Sequence, residues 1–343
     1  MAITTKDIAL LAGVSQSTVS RALNNSPLIS QKTRDKIMKI AQEQHFQFNA
    51  SARSLSTNKT HTVGVIFPDD YMDYGVNMYY GELHSQLRDS LEKRDMDLII
   101  AFKENRYSKV DSIQRLITGR KVDGLIIAHN ESTPEMLQLL HTTQTPYIFL
   151  HFQHEGDSTD QVNQVFSDQE KGGFLATKHL ISLGHRHIAC VSADAGHEFT
   201  LRRDGYKRAL KECGIPYNED LILYGDRTFQ SGYNLMMEKE HLLEKITAIT
   251  AHTDVMALGI LEAMRMKNIK VPEQLAVVGY DDIELAHYFH PHLTTIHQPR
   301  EQIASLACEK LLDLIEQKEP LEAQSISLEP ELVIRESCGY VLT

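Results

Sequence analysis

The chain has little cysteine and no cysteine pairing pattern. Cys190, Cys213, Cys308 and Cys338 are scattered through 343 residues with no Cys-x-x-Cys among them. That fits a reducing compartment with the thiols buried as small hydrophobes. A membrane-spanning helix needs about 20 consecutive apolar residues, and no run of that kind stands in the chain, so none is expected. The N-terminus lacks a basic-then-apolar leader, and the expected location is the cytoplasm. Gly-x-Gly-x-x-Gly, the phosphate-binding P-loop and Gly-x-Ser-x-Gly are all missing. Net positive charge is missing too: 35 Lys/Arg stand against 46 Asp/Glu, a formal charge of -11. The 17 histidines include His287, His290 and His292 in one loop, and His185 and His187 at a strand start. None shows the i, i+4 helical pairing with a glutamate typical of a zinc site, so they read as structural or solvated and no metal is expected.

The stretch from Thr4 to Asn24 carries the clearest pattern. Thr4 reads as an N-cap with Asp7 three residues on, a variant capping box. Ile8, Ala9, Leu11 and Ala12 follow at helical spacing and form an expected core face. Gly13 permits a sharp turn, and Ser15 can cap a second helix. That helix turns Val14, Val19, Ala22 and Leu23 inward and Gln16, Ser17, Ser20 and Arg21 outward. Glutamine can pair with an adenine edge, arginine with a guanine edge, and hydroxyls with phosphates or bases. A plain solvated helical hairpin would show the same apolar spacing.

The surrounding sequence favours the DNA reading. Residues 1–60 hold eight Lys/Arg and three Asp/Glu, a basic segment on an otherwise acidic chain. A polyanion partner is therefore expected at one end only. A third helix is expected from a cap at Ser30 to about His45, with Ile37, Ile40 and Ala41 on its core face. Residues 49–56 read as a short helix capped by Asn49, with small residues on one side and the lone large apolar Leu55. Such a leucine suits a wedge between base steps in a minor groove.

The stretch Asp-Ile-Ala-x-x-Ala-Gly-Val-Ser-x-x-Thr-Val-Ser-Arg-x-Leu-Asn resembles the signature of the LacI/GalR (lac-repressor-type) family of bacterial transcription regulators. The resemblance runs over essentially the whole chain. It implies that Gln16, Ser17 and Arg21 read operator bases. It places phosphate contacts at Thr4, Ser15, Thr18, Ser20, Asn24, Ser30 and Thr33. It also implies a hinge helix that puts Leu55 at the centre of a palindromic site, with Ala52 against its symmetry mate.

Length leaves roughly 280 residues after the head, enough for two α/β lobes. Short apolar runs at 62–67, 97–102, 122–128 and 146–151 read as strands, with helices at 77–94, 108–120 and 134–143 between them. A second series has strands at 187–192, 247–251 and 275–279, and a weaker one at 221–224. Its helices are expected at 169–183, 199–213, 230–243 and 254–267. A helix at 299–317 and strand segments at 326–334 come last. Nearly continuous apolar strands fit parallel sheets covered on both faces.

The expected fold is therefore α/β: a helix-turn-helix head (1–48), a hinge helix and linker (49–60), and two doubly wound parallel-sheet lobes of periplasmic-binding-protein-like type (61–343). Lobe 1 is expected at about 61–162 plus 298–325, and lobe 2 at about 163–293 plus 326–343. The resemblance implies that the last helix returns to lobe 1, so that the chain crosses three times. No added heptad helix follows the last strand, so the tetramer-forming tail of some relatives is not expected.

Ligands of such sheets bind beyond the carboxyl ends of the strands. Asp69 follows the first strand and His151 the fourth, while Tyr79 and Tyr80 open a helix there and can stack on a sugar or base. The resemblance adds effector residues in the second lobe. Arg202 matches its arginine in Arg-x-x-Gly-aromatic, with Arg203 facing solvent, and Asp281 matches a carboxylate that binds ligand hydroxyls. Thr253 stands where an asparagine is usual, and Asp254 reads as the cap of the next helix. Arg227 replaces a stacking aromatic after Gly-Asp; either Phe229 stacks instead, or Arg227 stacks on the ligand or pairs with an acidic group of it.

These features predict a homodimeric repressor on a pseudo-palindromic operator, its DNA affinity set by a sugar or sugar derivative in the interlobe cleft. A nucleoside is the alternative, because His-Thr-Asp-Val-Met-Ala-Leu-Gly also looks like nucleoside-responsive members. A sugar kinase with a DNA-binding head would need a phosphate-cradling loop or an acid–base pair, and neither is found. No catalytic residue, cofactor or membrane contact is expected.

Overall fold

The computed structural model describes residues 3–23, 26–46, 59–69, 74–129, 132–151, 162–194, 196–316 and 323–339. Among the described residues the head has three helices: α1 (Thr5–Ala12), α2 (Gln16–Leu23) and α3 (Gln31–Glu43). Thr4 and Asp7 form the reciprocal capping box. Gly13 takes φ 67 and closes α1 through its N–H to the Ala9 and Leu10 carbonyls. Glycine adopts this left-handed turn without strain. Ile8, Ala9, Ala12, Val19, Ala22, Ile37 and Ala41 form the head's own core. Leu11 departs from expectation and is 53 % exposed. The core face of α1 runs through Ile8 and the small Ala9 and Ala12, leaving Leu11 at the rim. The expected hinge helix, with Asn49, Ala52 and Leu55, lies outside the described residues, as does Asn24.

The body begins with β1 (Thr62–Phe67), α4 (Tyr74–Glu92), β2 (Asp97–Phe102), α5 (Ser112–Thr118), β3 (Gly124–Ile127), α6 (Pro134–Thr143), β4 (Tyr147–Leu150) and β5 (Gln164–Ser167). It continues through α7 (Gln169–Ser182), β6 (Ile188–Ala193), α8 (His197–Glu212), β7 (Ile222–Gly225), α9 (Phe229–Glu238), α10 (Glu240–Leu243), β8 (Ala248–Ala251), α11 (Asp254–Met266) and β9 (Ala276–Val278). It closes with β10 (Thr295–His297), α12 (Arg300–Glu316), β11 (Ser325–Leu328) and β12 (Glu331–Val333).

Among the described residues the first sheet has six parallel strands in the order β11-β5-β4-β3-β1-β2. The second has four, in the order β7-β6-β8-β9, all parallel. The small antiparallel pair β10–β12 adjoins it through bridges from Val278 to Thr294 and from Asp281 to His297. Strands β1, β3 and β4 are buried at every residue, as parallel strands between helical layers must be.

Strand β5 was absent from the expected elements, because Gln164-Val-Phe-Ser167 offers only two large apolar residues. Its pairing with β11 moves the lobe boundaries: both strands belong to the first sheet, so the chain leaves it after Ser167 and Leu328 rather than at 162 and 325. Helix α12 packs on β3, β4, β5 and α4, as the resemblance implies.

Helices α7 and α8 meet at backbone contact. A Cβ on Gly173 would strike the Arg202 carbonyl, and one on Gly205 the Glu170 carbonyl. This close approach seats α8, and with it Arg202, against the end of the second sheet.

Candidate nucleic-acid interface and effector site

In the head, Ser15 Oγ accepts the Thr18 backbone N–H at 3.1 Å and starts α2. This is the bond an N-cap hydroxyl makes. The same oxygen lies 2.8 Å from both Ser17 Oγ and Thr18 Oγ1, so three hydroxyls cluster where backbone N–H groups are exposed. A helix N-terminus of this kind favours a phosphate. Gln16 and Arg21 stand exposed, and Gln16 Nε2 donates to Thr5 Oγ1 at 3.0 Å. Ser20 is half-buried on the same helix. Ser30 caps α3 by accepting from the Thr33 N–H at 3.3 Å. Two of the basic residues act as struts: Lys36 Nζ donates to the Ala12 carbonyl and Arg34 Nη2 to that of Ser26, both at 2.8 Å.

The body places its candidate residues around a buried polar network at the junction of the two sheets. Arg202, on the inner face of α8, donates through Nε to Gln169 Oε1 at 2.8 Å and through Nη1 to the His252 carbonyl. Its guanidinium carbon lies 3.7 Å from the centroid of the Tyr280 ring. That cation–π contact holds the plane of the fork. The remaining arm, Nη2, stands 3.8 Å from Asp281 Oδ1. This separation is beyond hydrogen-bond reach. Gln298 Nε2 donates to Asp281 Oδ1 at 2.8 Å, and Gln169 Nε2 to Gln298 Oε1 at 3.0 Å. Asp281 takes φ 116, a left-handed conformation that strains a non-glycine residue. Burial pushes its carboxyl up to about 6, against the pull of Arg202.

The first lobe contributes Tyr79, Tyr80 and His151. Tyr79 Oη lies 3.0 Å from His151 Nε2, both buried. His151 follows β4 with φ 58. Burial, reinforced by Arg202 and Arg300, drives its imidazole down to about 3, so the ring is neutral. The rings of Tyr79, Tyr80 and His151 meet edge-on at centroid distances of 5.3–6.4 Å.

Four residues of this network were missed by sequence reasoning. Arg300, at the start of α12, pairs with Glu82 Oε2 at 2.7 Å and donates to the carbonyls of Asp281 and Asp282. Glu82 Oε1 also accepts the Glu284 N–H at 3.2 Å, so Glu82 on α4 is tied to the second lobe directly as well as through Arg300. Gln169 comes just after β5, and a search of strand ends would have found it had β5 been recognised. Gln298 and Arg300 follow β10, a strand of three residues with no periodicity of its own.

Other candidates fall elsewhere. Thr253, not Asp254, caps α11: its Oγ1 accepts the Met256 N–H at 3.1 Å. Asp254 is buried beside it, taking the Ile283 N–H at 2.9 Å and the Thr295 hydroxyl at 2.5 Å. Burial and the nearby Asp281 raise its carboxyl to about 7. Arg203 does not face solvent; it is half-buried and donates to Ser192 Oγ and the Ala193 carbonyl at 3.0 Å. Phe229 is the first residue of α9 and packs on the core. Arg227 holds φ 71 in the turn before it, and Asp69 is exposed after β1.

Comparison with known proteins agrees with this architecture. Residues 4–49 match the family of bacterial regulatory proteins of the lacI type, and residues 177–338 a periplasmic binding protein-like domain. An HTH-type transcriptional repressor PurR from Vibrio parahaemolyticus is 35% identical over 338 residues, 97% of each chain. One from Vibrio cholerae is 33% identical over 340 residues, again 97% of each. The transcriptional regulator CelR in complex with cellobiose superposes with a TM-score of 0.72 at 30% identity, covering 98% of this chain and 99% of the other. The lac repressor dimer bound to operator shares the fold with a TM-score of 0.79 at 24% identity, covering 98% and 99%. No helix among the described residues is long and apolar enough to cross a membrane. The chain belongs to the LacI family: it is a ligand-responsive, DNA-binding transcription repressor and not an enzyme.

Proposed function

We propose that the protein acts in the cytoplasm as a homodimer that represses from a pseudo-palindromic operator. Gln16, Ser17 and Arg21 read base edges. Thr4, Ser15, Thr18, Ser20, Asn24, Ser30 and Thr33 hold phosphates, and Asn49, Ala52 and Leu55 contact the centre of the operator, with Leu55 wedged into the central step. The effector sits between the lobes, bounded by 61–167 with 298–328 on one side and 168–297 with 329–343 on the other.

The observation that carries the effector reading is the gap at Arg202. Its Nη2 and Asp281 Oδ1 face each other at 3.8 Å. A donor and an acceptor so placed are set to take vicinal hydroxyls. Across the site stand three aromatic rings, one of them a neutral histidine. Hydroxyls on one side and a planar heterocycle on the other describe a nucleoside-type ligand. The resemblance to CelR, which holds cellobiose, supports the second reading, a free sugar. Thermal shift and calorimetry with nucleosides, free bases, sugars and sugar phosphates separate the two, since a ligand of the folded state raises the melting temperature. Binding by sugars alone would remove the nucleoside reading; binding by neither class would remove the cleft assignment.

A further inference from the structure

Helical spacing is not the only way to gather metal ligands. His290-Pro291-His292 lies in a loop leading into β10. His290 and His292 turn to the same side there, with ring centroids 4.3 Å apart. Glu336, three residues beyond β12, meets them. Its Oε2 lies 3.8 Å from His290 Nδ1 and its Oε1 4.0 Å from His292 Nε2.

The two segments are fastened by backbone bonds, so the cluster is not a chance meeting of surface side chains. The His292 carbonyl accepts the N–H groups of Glu336 and Ser337 at 3.0 Å. The His292 N–H donates to Glu336 Oε2 at 2.9 Å. Next in sequence, Arg335 is fixed by the Leu293 carbonyl and Asp282. The glutamate is thus held on tied backbone, and His292 is half-buried with Nδ1 turned inward. His290 is the exposed member.

The distances exclude direct hydrogen bonds and approach those of shared coordination. With metal–ligand bonds of about 2.0–2.1 Å, ligands of a tetrahedral ion stand roughly 3.3 Å apart. The observed separations of 3.8 and 4.0 Å exceed that by less than 1 Å, a difference that small rotations of the exposed His290 ring and of the exposed Glu336 carboxyl group close. Two imidazoles and one carboxylate form the nitrogen–oxygen donor set that zinc and its neighbours in the late first row prefer, and that magnesium does not. Among the described residues this is the one group of three or more such side chains with converging ligand atoms.

We propose that His290, His292 and Glu336 bind a late first-row divalent cation, zinc above all, clamping the loop before β10 to the segment after β12. The site is independent of the effector reading, because none of its residues takes part in the interlobe network.

The test uses the full-length protein stripped with a chelator. Titration with zinc chloride should show one ion per chain and a melting temperature that rises with zinc, while magnesium chloride does neither. Cobalt chloride should give visible ligand-field bands of a low-coordinate site. His290→Ala and Glu336→Gln should each weaken zinc binding at least tenfold with the metal-free melting temperature nearly unchanged. His287→Ala, in the same loop but outside the cluster, should leave zinc binding intact. Absence of zinc binding, or binding of undiminished strength in both ligand variants, would overturn the assignment.

Discussion

In the head, the side chains proposed to read DNA stand in solvent or at its edge, on helices whose caps, turn and core are all local. In the interlobe site the functional groups are buried, and each is held by residues far away in sequence: Arg202 by Gln169 and His252, Asp281 by Gln298, Tyr79 by His151. The difference has a physical origin. A polyanion is met by exposed charge and hydroxyls that change partners on contact. A small effector must be met by groups already desolvated and aimed, because each buried polar atom left without a partner costs free energy. The head therefore tolerates change one residue at a time, whereas the interlobe network fails as a unit.

The largest expected effect is at Arg202. Arg202→Met removes the guanidinium and leaves Gln169 Oε1, the His252 carbonyl and the Asp281 carboxylate without it. Breaking a buried charge pair on one side costs about 3–5 kcal/mol. Urea unfolding should show that loss, and an undiminished midpoint would mean the network is weaker than its geometry.

Asp281→Asn comes next, with a shape-conserving residue that tolerates the left-handed backbone. Effector affinity should fall by about 2–5 kcal/mol while effector-free operator binding stays intact, read by fluorescence anisotropy with labelled operator. The pH dependence sharpens this. Asp281 titrates at about 6, above the ordinary 3.8. Its contribution to stability is therefore present below the ordinary carboxylate range and is lost as pH rises through about 6. Effector binding moves the other way: it needs the carboxylate and should weaken as pH falls through about 6. Arg202, Arg300 and Glu198 share this field, as does Asp254, so the test is the pH slope lost in Asp281→Asn, not its absolute midpoint.

In the head, Arg21→Ala should cost about 1–3 kcal/mol of specific binding and relax the preference at one operator position. Selection from a randomised operator pool checks it; unchanged preference would remove Arg21 from base reading. The smallest effect is at Gly13, where an added Cβ meets nothing within 4 Å but φ is 67. Gly13→Ala should destabilise the head by about 1 kcal/mol, through backbone strain alone. A change in the melting curve of the body would contradict the independence of the head's core.

How much could be read from the sequence follows the same division. Thr4, Asp7, Gly13, Ser15 and Ser30 signal caps and turns within three or four residues of their partners, and the structure places them so. The apolar strands of both sheets stood out because parallel sheets are buried on both faces. Strand β5 did not: half polar, it is a strand because β4 and β11 flank it. The cap of α11 fell to Thr253 and not to the expected Asp254, because either residue can cap a helix and only the buried bonds from Ile283 and Thr295 to Asp254 decide between them.

The sequence by itself determined the helix-turn-helix head, the alternation of strands and helices, and which residue types could read DNA or bind hydroxyls. These are short-range matters of capping, periodicity and side-chain chemistry. The tertiary structure decided the lobe boundaries, the role of Gln169, Gln298, Arg300 and Glu82, and the meeting of His290 and His292 with Glu336. Each of these depends on chain segments brought together across the fold, where burial and hydrogen-bond satisfaction, not local spacing, select the partner.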